Sequence, residues 1–150
     1  MSAIACILHV NINCRDFARS LAFYQSLGFR VVTEFPEAEY SDVAPGLGIG
    51  RHRMKGVLMA IGDDDNPTYL DLLEWIEPQQ AEVHPQQATD FGIQRIAFLT
   101  TDLDADLDRL RDLDIATLAG PILVEAAPGN KARFVCFRDP DGNLLELVGN

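Results

Sequence analysis

The chain carries one pattern twice. Residues 8–31 realign without a gap on residues 94–117, so that His9 falls on Arg95, Asp16 on Asp102, Leu21 on Leu107 and Leu27 on Leu113. Each copy reads as an apolar strand, an aspartate at a helix start, an amphipathic helix and a second strand. The later part repeats too: Tyr69-Leu70-Asp71-Leu72-Leu73 matches Leu144-Leu145-Glu146-Leu147-Val148. A duplicated unit restricts the chain to architectures that use one supersecondary module twice, with equivalent strand positions available to surround one cavity.

The first copy predicts a strand over residues 4–14, in which Leu8, Val10 and Ile12 take one face and His9, Asn11 and Asn13 the other. Asp16 is placed to cap a helix carrying Phe17, Leu21, Tyr24 and Leu27 at helical spacing, and Gly28 supplies its stop. A strand over 29–35 follows. Residues 36–53, with Pro45, Gly46, Gly48 and Gly50, predict a long loop with one short helical turn, a candidate lid. Strands are expected at 54–61 and 68–76, with a turn between them. The second copy predicts a strand over 92–101, a helix over 102–114 and strands over 115–118, 131–138 and 143–148. A further short strand falls at 122–124. Asp139-Pro140-Asp141-Gly142 marks the turn between the last two strands. The order is β-α-β-β-β, twice: a single α+β domain with module 1 over residues 1–77, a linker over 78–90 and module 2 over 91–150. The sheets form a cup with the helices on the outer face.

A length of 150 residues suits one domain with a substantial core. No apolar run approaches the ~20 residues that span a bilayer, and the first residues lack the pattern of a secretory signal, so a cytoplasmic location is expected, without a membrane partner. A net charge of −11 and the lack of a Lys/Arg cluster argue against a nucleic-acid partner. The three cysteines, Cys6, Cys14 and Cys136, lack C-x-x-C spacing and are expected as reduced, mostly buried thiols.

Leu8-His9-Val10 with Asp16, then Ser20-Leu21-Ala22-Phe23-Tyr24 and Leu27-Gly28-Phe29, resemble a known pattern. So does the segment from Phe137 through Asp139-Pro140-Asp141-Gly142-Asn143 to Leu147. Together they resemble the vicinal oxygen chelate superfamily, which includes glyoxalase I, methylmalonyl-CoA epimerase, fosfomycin and bleomycin resistance proteins, and extradiol dioxygenases. The likeness spans essentially the whole chain. It implies paired βαβββ modules and a homodimer, but not one reaction, because this fold hosts many chemistries.

In metal-binding members of that superfamily the ligands come from the first and last strand of each module. By position these are His9, Asp71 and Glu146, with Arg95 where a histidine is common. A guanidinium has no lone pair to give, so Arg95 cannot be a ligand. The pattern of two histidines and a carboxylate on iron, expected of extradiol dioxygenases, is therefore not met. Two carboxylates facing one cavity need a nearby cation or a proton. Arg95 would supply the cation by pairing with Glu146 or Asp71, or would bind an anionic group of a ligand. The alternative keeps one divalent ion (Zn, Mn, Ni or Fe) on His9, Asp71 and Glu146.

Two functions follow. The favoured one is metal-free binding of a small molecule, without a cofactor: Asn11, Asp71 and Arg95 make polar contacts, Tyr69 and Trp75 an apolar wall, and His9 and Glu146 are the candidate catalytic pair. The alternative is a metal-dependent lyase, isomerase or epimerase acting on a small oxygenated substrate. Phe35 and Met54 are expected to close the apolar wall. Glu74 falls on the strand face away from Asp71, and His52 and His84 fall in loops where solvation is expected.

Overall fold

The computed structural model describes residues 3–63, 65, 67–79, 85 and 87–150. His84 and much of the expected linker lie outside them. The chain divides into two compact units, Met1–Glu82 and Val83–Asn150. Each contains one four-stranded mixed sheet and one long helix, so the twofold βαβββ pattern of the sequence is the fold.

In the first unit the order is β1 (His9–Asn13), α1 (Phe17–Ser26), β2 (Arg30–Ala38), α2 (Ala44–Leu47), β3 (Arg53–Ala60) and β4 (Tyr69–Glu77). The sheet order is β1-β4-β3-β2, with β1 parallel to β4 and the other pairs antiparallel. α1 begins where Asp16 accepts the backbone N–H of Arg19 at 3.0 Å. It ends before Gly28, whose φ of 101° suits a residue without a Cβ. Ile12, Val57, Met59, Leu70 and Leu72 alternate onto one sheet face and are buried, together with Tyr24 of α1. Tyr24 meets Phe23 and Phe29 edge-on at 5.2 and 5.7 Å between ring centroids.

Glu74 lies on this helix-facing side. It accepts the backbone N–H of Phe17 at 3.1 Å and pairs with Lys55 at 3.1 Å, so it serves the start of α1.

The second unit repeats the plan with β5 (Arg95–Leu99), α3 (Leu103–Asp112), β6 (Ile122–Ala127), β7 (Asn130–Arg138) and β8 (Leu144–Gly149). The sheet order is β5-β8-β7-β6, with β5 parallel to β8. Asp102 caps α3 as Asp16 caps α1, accepting the N–H of Ala105 at 3.0 Å. Leu103 and Leu110 of α3 are buried, as are Val135, Phe137 and Leu145 of the sheet. The first helical N–H finds different acceptors in the two copies: a glutamate in α1, but the backbone oxygen of Asn150 in α3, at 3.2 Å. The β7–β8 turn is built on Asp139, whose carboxylate accepts from the N–H groups of Asp141 and Asn143 and from the Asn143 side chain.

β5 is shorter (Arg95–Leu99) than the expected 92–101 and β6 longer (Ile122–Ala127) than 122–124, and three further boundaries also differ. The first strand begins at His9, and Ile4, Ile7 and Leu8 are exposed and outside it. β2 runs through Pro36 to Ala38; an edge strand has an unpaired side, so a missing N–H there costs no sheet hydrogen bond. Residues 115–118 form one isolated bridge, Thr117 to Phe137, in place of a strand. Asp114, in the left-handed region with φ 56°, turns the chain just before them, and β6 takes the outer place in the sheet. No helix among the described residues is long and apolar enough to cross a membrane.

Candidate functional site

The sheet face opposite α1 gathers five of the sequence-predicted residues. Parallel pairing sets His9 beside Tyr69 and Asn11 beside Asp71. Alternation along β4 then places Tyr69, Asp71, Leu73 and Trp75 on one side. His9 Nε2 lies 4.0 Å from Asp71 Oδ2, with the histidine side chain 45% exposed and the aspartate 15%. Asn11 Nδ2 donates to the Asp71 backbone oxygen at 3.0 Å, and Trp75 Nε1 donates to Asn13 Oδ1 at 2.9 Å. These two bonds fix the polar side chains of β1 against β4. Asp71 Oδ1 is buried without a protein partner. Burial pushes the Asp71 carboxyl above its usual value of 3.8, partly offset by the charge of His9 and a hydrogen bond from Asn11.

Met54, opposite Trp75 in the β3–β4 pairing, is buried on this face. Phe35, paired with Gly56 and so on the face of Leu73, meets Tyr40 edge-on with centroids 6.5 Å apart. His52 differs from its expectation. It is 1% exposed, its Nδ1 is 3.3 Å from the backbone oxygen of Gly50, its ring lies 5.5 Å from that of Trp75, and Nε2 is buried without a partner. Its position just before β3 was the signal available in the sequence. Two residues before Met54, an alternating pattern carries it to the same side.

The second unit holds the other two residues. β5 and β8 run parallel with Ala97 beside Glu146, so Arg95, two residues earlier in β5, reaches along the same face. Its Nε lies 2.5 Å from Glu146 Oε2; the arginine side chain is 51% exposed and the glutamate 10%. Cys136, opposite Glu146 on β7, directs its thiol at the same oxygen from 3.7 Å. Burial raises the Cys136 thiol above 9.0; the charge of Glu146 and its hydrogen bond add to this, and Arg95 opposes it. One carboxylate oxygen thus receives a guanidinium and a thiol together.

Within neither unit do three or more His, Cys, Asp or Glu side chains of the described residues converge as a metal cluster. The first unit offers a histidine–aspartate pair. The second offers a carboxylate one of whose oxygens is already held by a cation.

The Glyoxalase/Bleomycin resistance protein/Dioxygenase superfamily model matches residues 6–147. The uncharacterized protein YwkD of Bacillus subtilis (strain 168) is 29% identical over 143 residues, covering 94% of each chain. The uncharacterized protein YaeR of Escherichia coli (strain K12) is 28% identical over 141 residues, covering 93% of this chain and 92% of that one. Among solved structures, a glyoxalase family protein from Bacillus cereus superposes with a TM-score of 0.82 at 17% identity, over 99% of this chain and 97% of that one. That likeness concerns the fold. With the family model spanning both repeats, the chain belongs to the Glyoxalase/Bleomycin resistance protein/Dioxygenase superfamily.

Proposed function

We propose that this superfamily member binds a small molecule and that Arg95, rather than a divalent metal ion, is the cation of its site. The observation that carries this reading is the 2.5 Å contact between Arg95 Nε and Glu146 Oε2. A guanidinium this close to Oε2 takes up much of the carboxylate's charge and makes Glu146 a weaker metal ligand. The arginine itself has no lone pair to offer, and its charge repels an incoming cation. The donor set of this face therefore does not suit a tightly held divalent ion.

A half-exposed guanidinium can still recognise a ligand. Nε is spent on Glu146, while the planar group carries further N–H donors in a fixed fork that matches a carbonyl or carboxylate. Within the first unit, taken by itself, Tyr69 and Trp75 lie on the strand face of Asp71 and offer aromatic surface of their own. The Trp75 indole is already oriented by Asn13, so little rotational freedom remains to be lost on contact.

Two probes of similar size, benzoate and acetophenone, test the recognition by titration calorimetry. Arg95→Gln should weaken the better-bound probe by about tenfold, the scale of one charge-assisted hydrogen bond. Unchanged binding in a variant with an intact circular dichroism spectrum would remove Arg95 from the ligand site.

A further inference from the structure

The strand register of the second unit lines up three side chains across its sheet. Arg95 of β5 pairs with Leu144 of β8, and Leu144 pairs with Arg138 of β7. Paired residues point to the same side of a sheet, so all three share the face of Glu146 and Cys136. Two guanidiniums therefore start from one row, two strand spacings or about 10 Å apart at the backbone.

The two arginines differ in what answers their charge. Glu146 is the single acid of β5, β7 and β8, and it is held by Arg95. Arg138 is partly buried, and its Nη1 donates to the backbone oxygen of Gly142 at 2.6 Å, in the turn after β7. Among the described residues it makes no ion pair with a carboxylate. Asp139, its neighbour in the chain, gives its carboxylate to the N–H groups of Asp141 and Asn143 and to the Asn143 side chain. One positive charge is thus left over on this face, in a chain of net charge −11. A partly buried guanidinium without an acid beside it is a strong place for an anion to bind.

We propose that the ligand of this site is a small dicarboxylate, with one carboxylate on Arg95 and the other on Arg138. This rests on the reading of Arg95 as a ligand-binding cation and adds the second contact. Each guanidinium is anchored through one nitrogen, Nε of Arg95 on Glu146 and Nη1 of Arg138 on Gly142. Each carries further N–H donors in a planar fork that matches a carboxylate. The anchors also draw them apart, Arg95 along β8 toward Glu146 and Arg138 toward the turn. A single compact anion is too short for both, whereas two carboxylates on a spacer are not. Between the arginines the row supplies a buried leucine, so the spacer meets no polar partner and is itself apolar.

Titration calorimetry with benzoate and terephthalate tests this, because the second adds one carboxylate across the same ring. The wild-type chain should bind terephthalate at least about tenfold more tightly, the scale of one charge-assisted contact. Arg138→Gln should cancel that preference, and Arg95→Gln should cancel it as well. Arg138→Lys, which keeps the charge, should keep part of it, and circular dichroism confirms that each variant is folded. Terephthalate bound no more tightly than benzoate, or a preference that survives Arg138→Gln, would overturn the second contact and leave the role of Arg95 standing. An Arg138→Lys variant as impaired as Arg138→Gln would do the same, by making Arg138 a support of the turn. Benzoate binding indifferent to Arg95→Gln would overturn the reading of Arg95 and the pairing with it.

Discussion

Arg95 Nε and Glu146 Oε2 stand 2.5 Å apart across two parallel strands, and the carboxylate side chain is far more buried than the guanidinium. Removing the cation strands a negative charge that is 10% exposed, whereas removing both partners leaves two neutral groups. Arg95→Gln should therefore destabilise the fold by about 1–3 kcal/mol, less than for a fully buried pair because the arginine is half in solvent. Adding Glu146→Gln should return part of that loss. Urea unfolding of the four-member mutant cycle measures the coupling; strictly additive single effects would mean that the pair contributes nothing.

The thiol of Cys136 reads the same carboxylate. Burial and then Glu146 raise its ionisation above 9.0, so at neutral pH it should be a poor nucleophile. Alkylation followed by mass spectrometry should modify exposed Cys6 well before Cys136. Glu146→Gln removes the charge and should speed Cys136, while Arg95→Gln removes the opposing cation and should slow it further. Equal rates in the three proteins would contradict the shared-oxygen geometry.

Asp71 makes a pH-dependent prediction. Its carboxyl is raised in the folded state, by burial above all, so it favours folding below its unfolded value of 3.8. That contribution is lost as pH rises through the raised value, and at neutral pH the ionised group is a liability. Asp71→Asn should be more stable than wild type near pH 7, and the advantage should fade as pH falls toward 3.8. Thermal melts across that range test the sign. An advantage that grows on acidification would contradict it.

His52 is packed for shape, with one ring nitrogen unsatisfied. A ring of similar size without that nitrogen removes an unmade hydrogen bond and keeps the contact with Trp75. His52→Phe should fall within ~1 kcal/mol of wild type, and His52→Ala should lose about 3 kcal/mol through the space left behind. Denaturant midpoints distinguish them; equal losses would mean that the imidazole nitrogens, rather than the ring, hold the segment.

Local chemistry made much of the fold legible in the sequence. Asp16 and Asp102 announce their helices because a capping aspartate acts within its own turn, and the alternation of His9, Asn11 and Asn13 survives because β1 has one buried face. Strand ends are set by distant partners, which is why residues 4–8 lie outside β1 and residues 115–118 yield the outer place to β6. In the site, residue types showed that a carboxylate needed a cation, but the choice of Glu146 beside Arg95 depends on the β5–β8 register. The burial of His52 was only half legible: its place just before β3 pointed to the face of Met54, but the aromatic contact that buries it comes from a strand later in the chain.

If Arg95 holds the place of a metal ion, the protein should retain little divalent metal, and metal content decides the matter. Tag-free protein purified without chelators, and again after exposure to Zn²⁺, Mn²⁺, Ni²⁺ and anaerobic Fe²⁺, would be desalted and measured by inductively coupled plasma mass spectrometry. Retention should fall far below one ion per chain in every case, and Arg95→His should raise it. Retention of about one ion per chain by the wild type, lost in Glu146→Gln, would contradict this reading and make Glu146 a metal ligand.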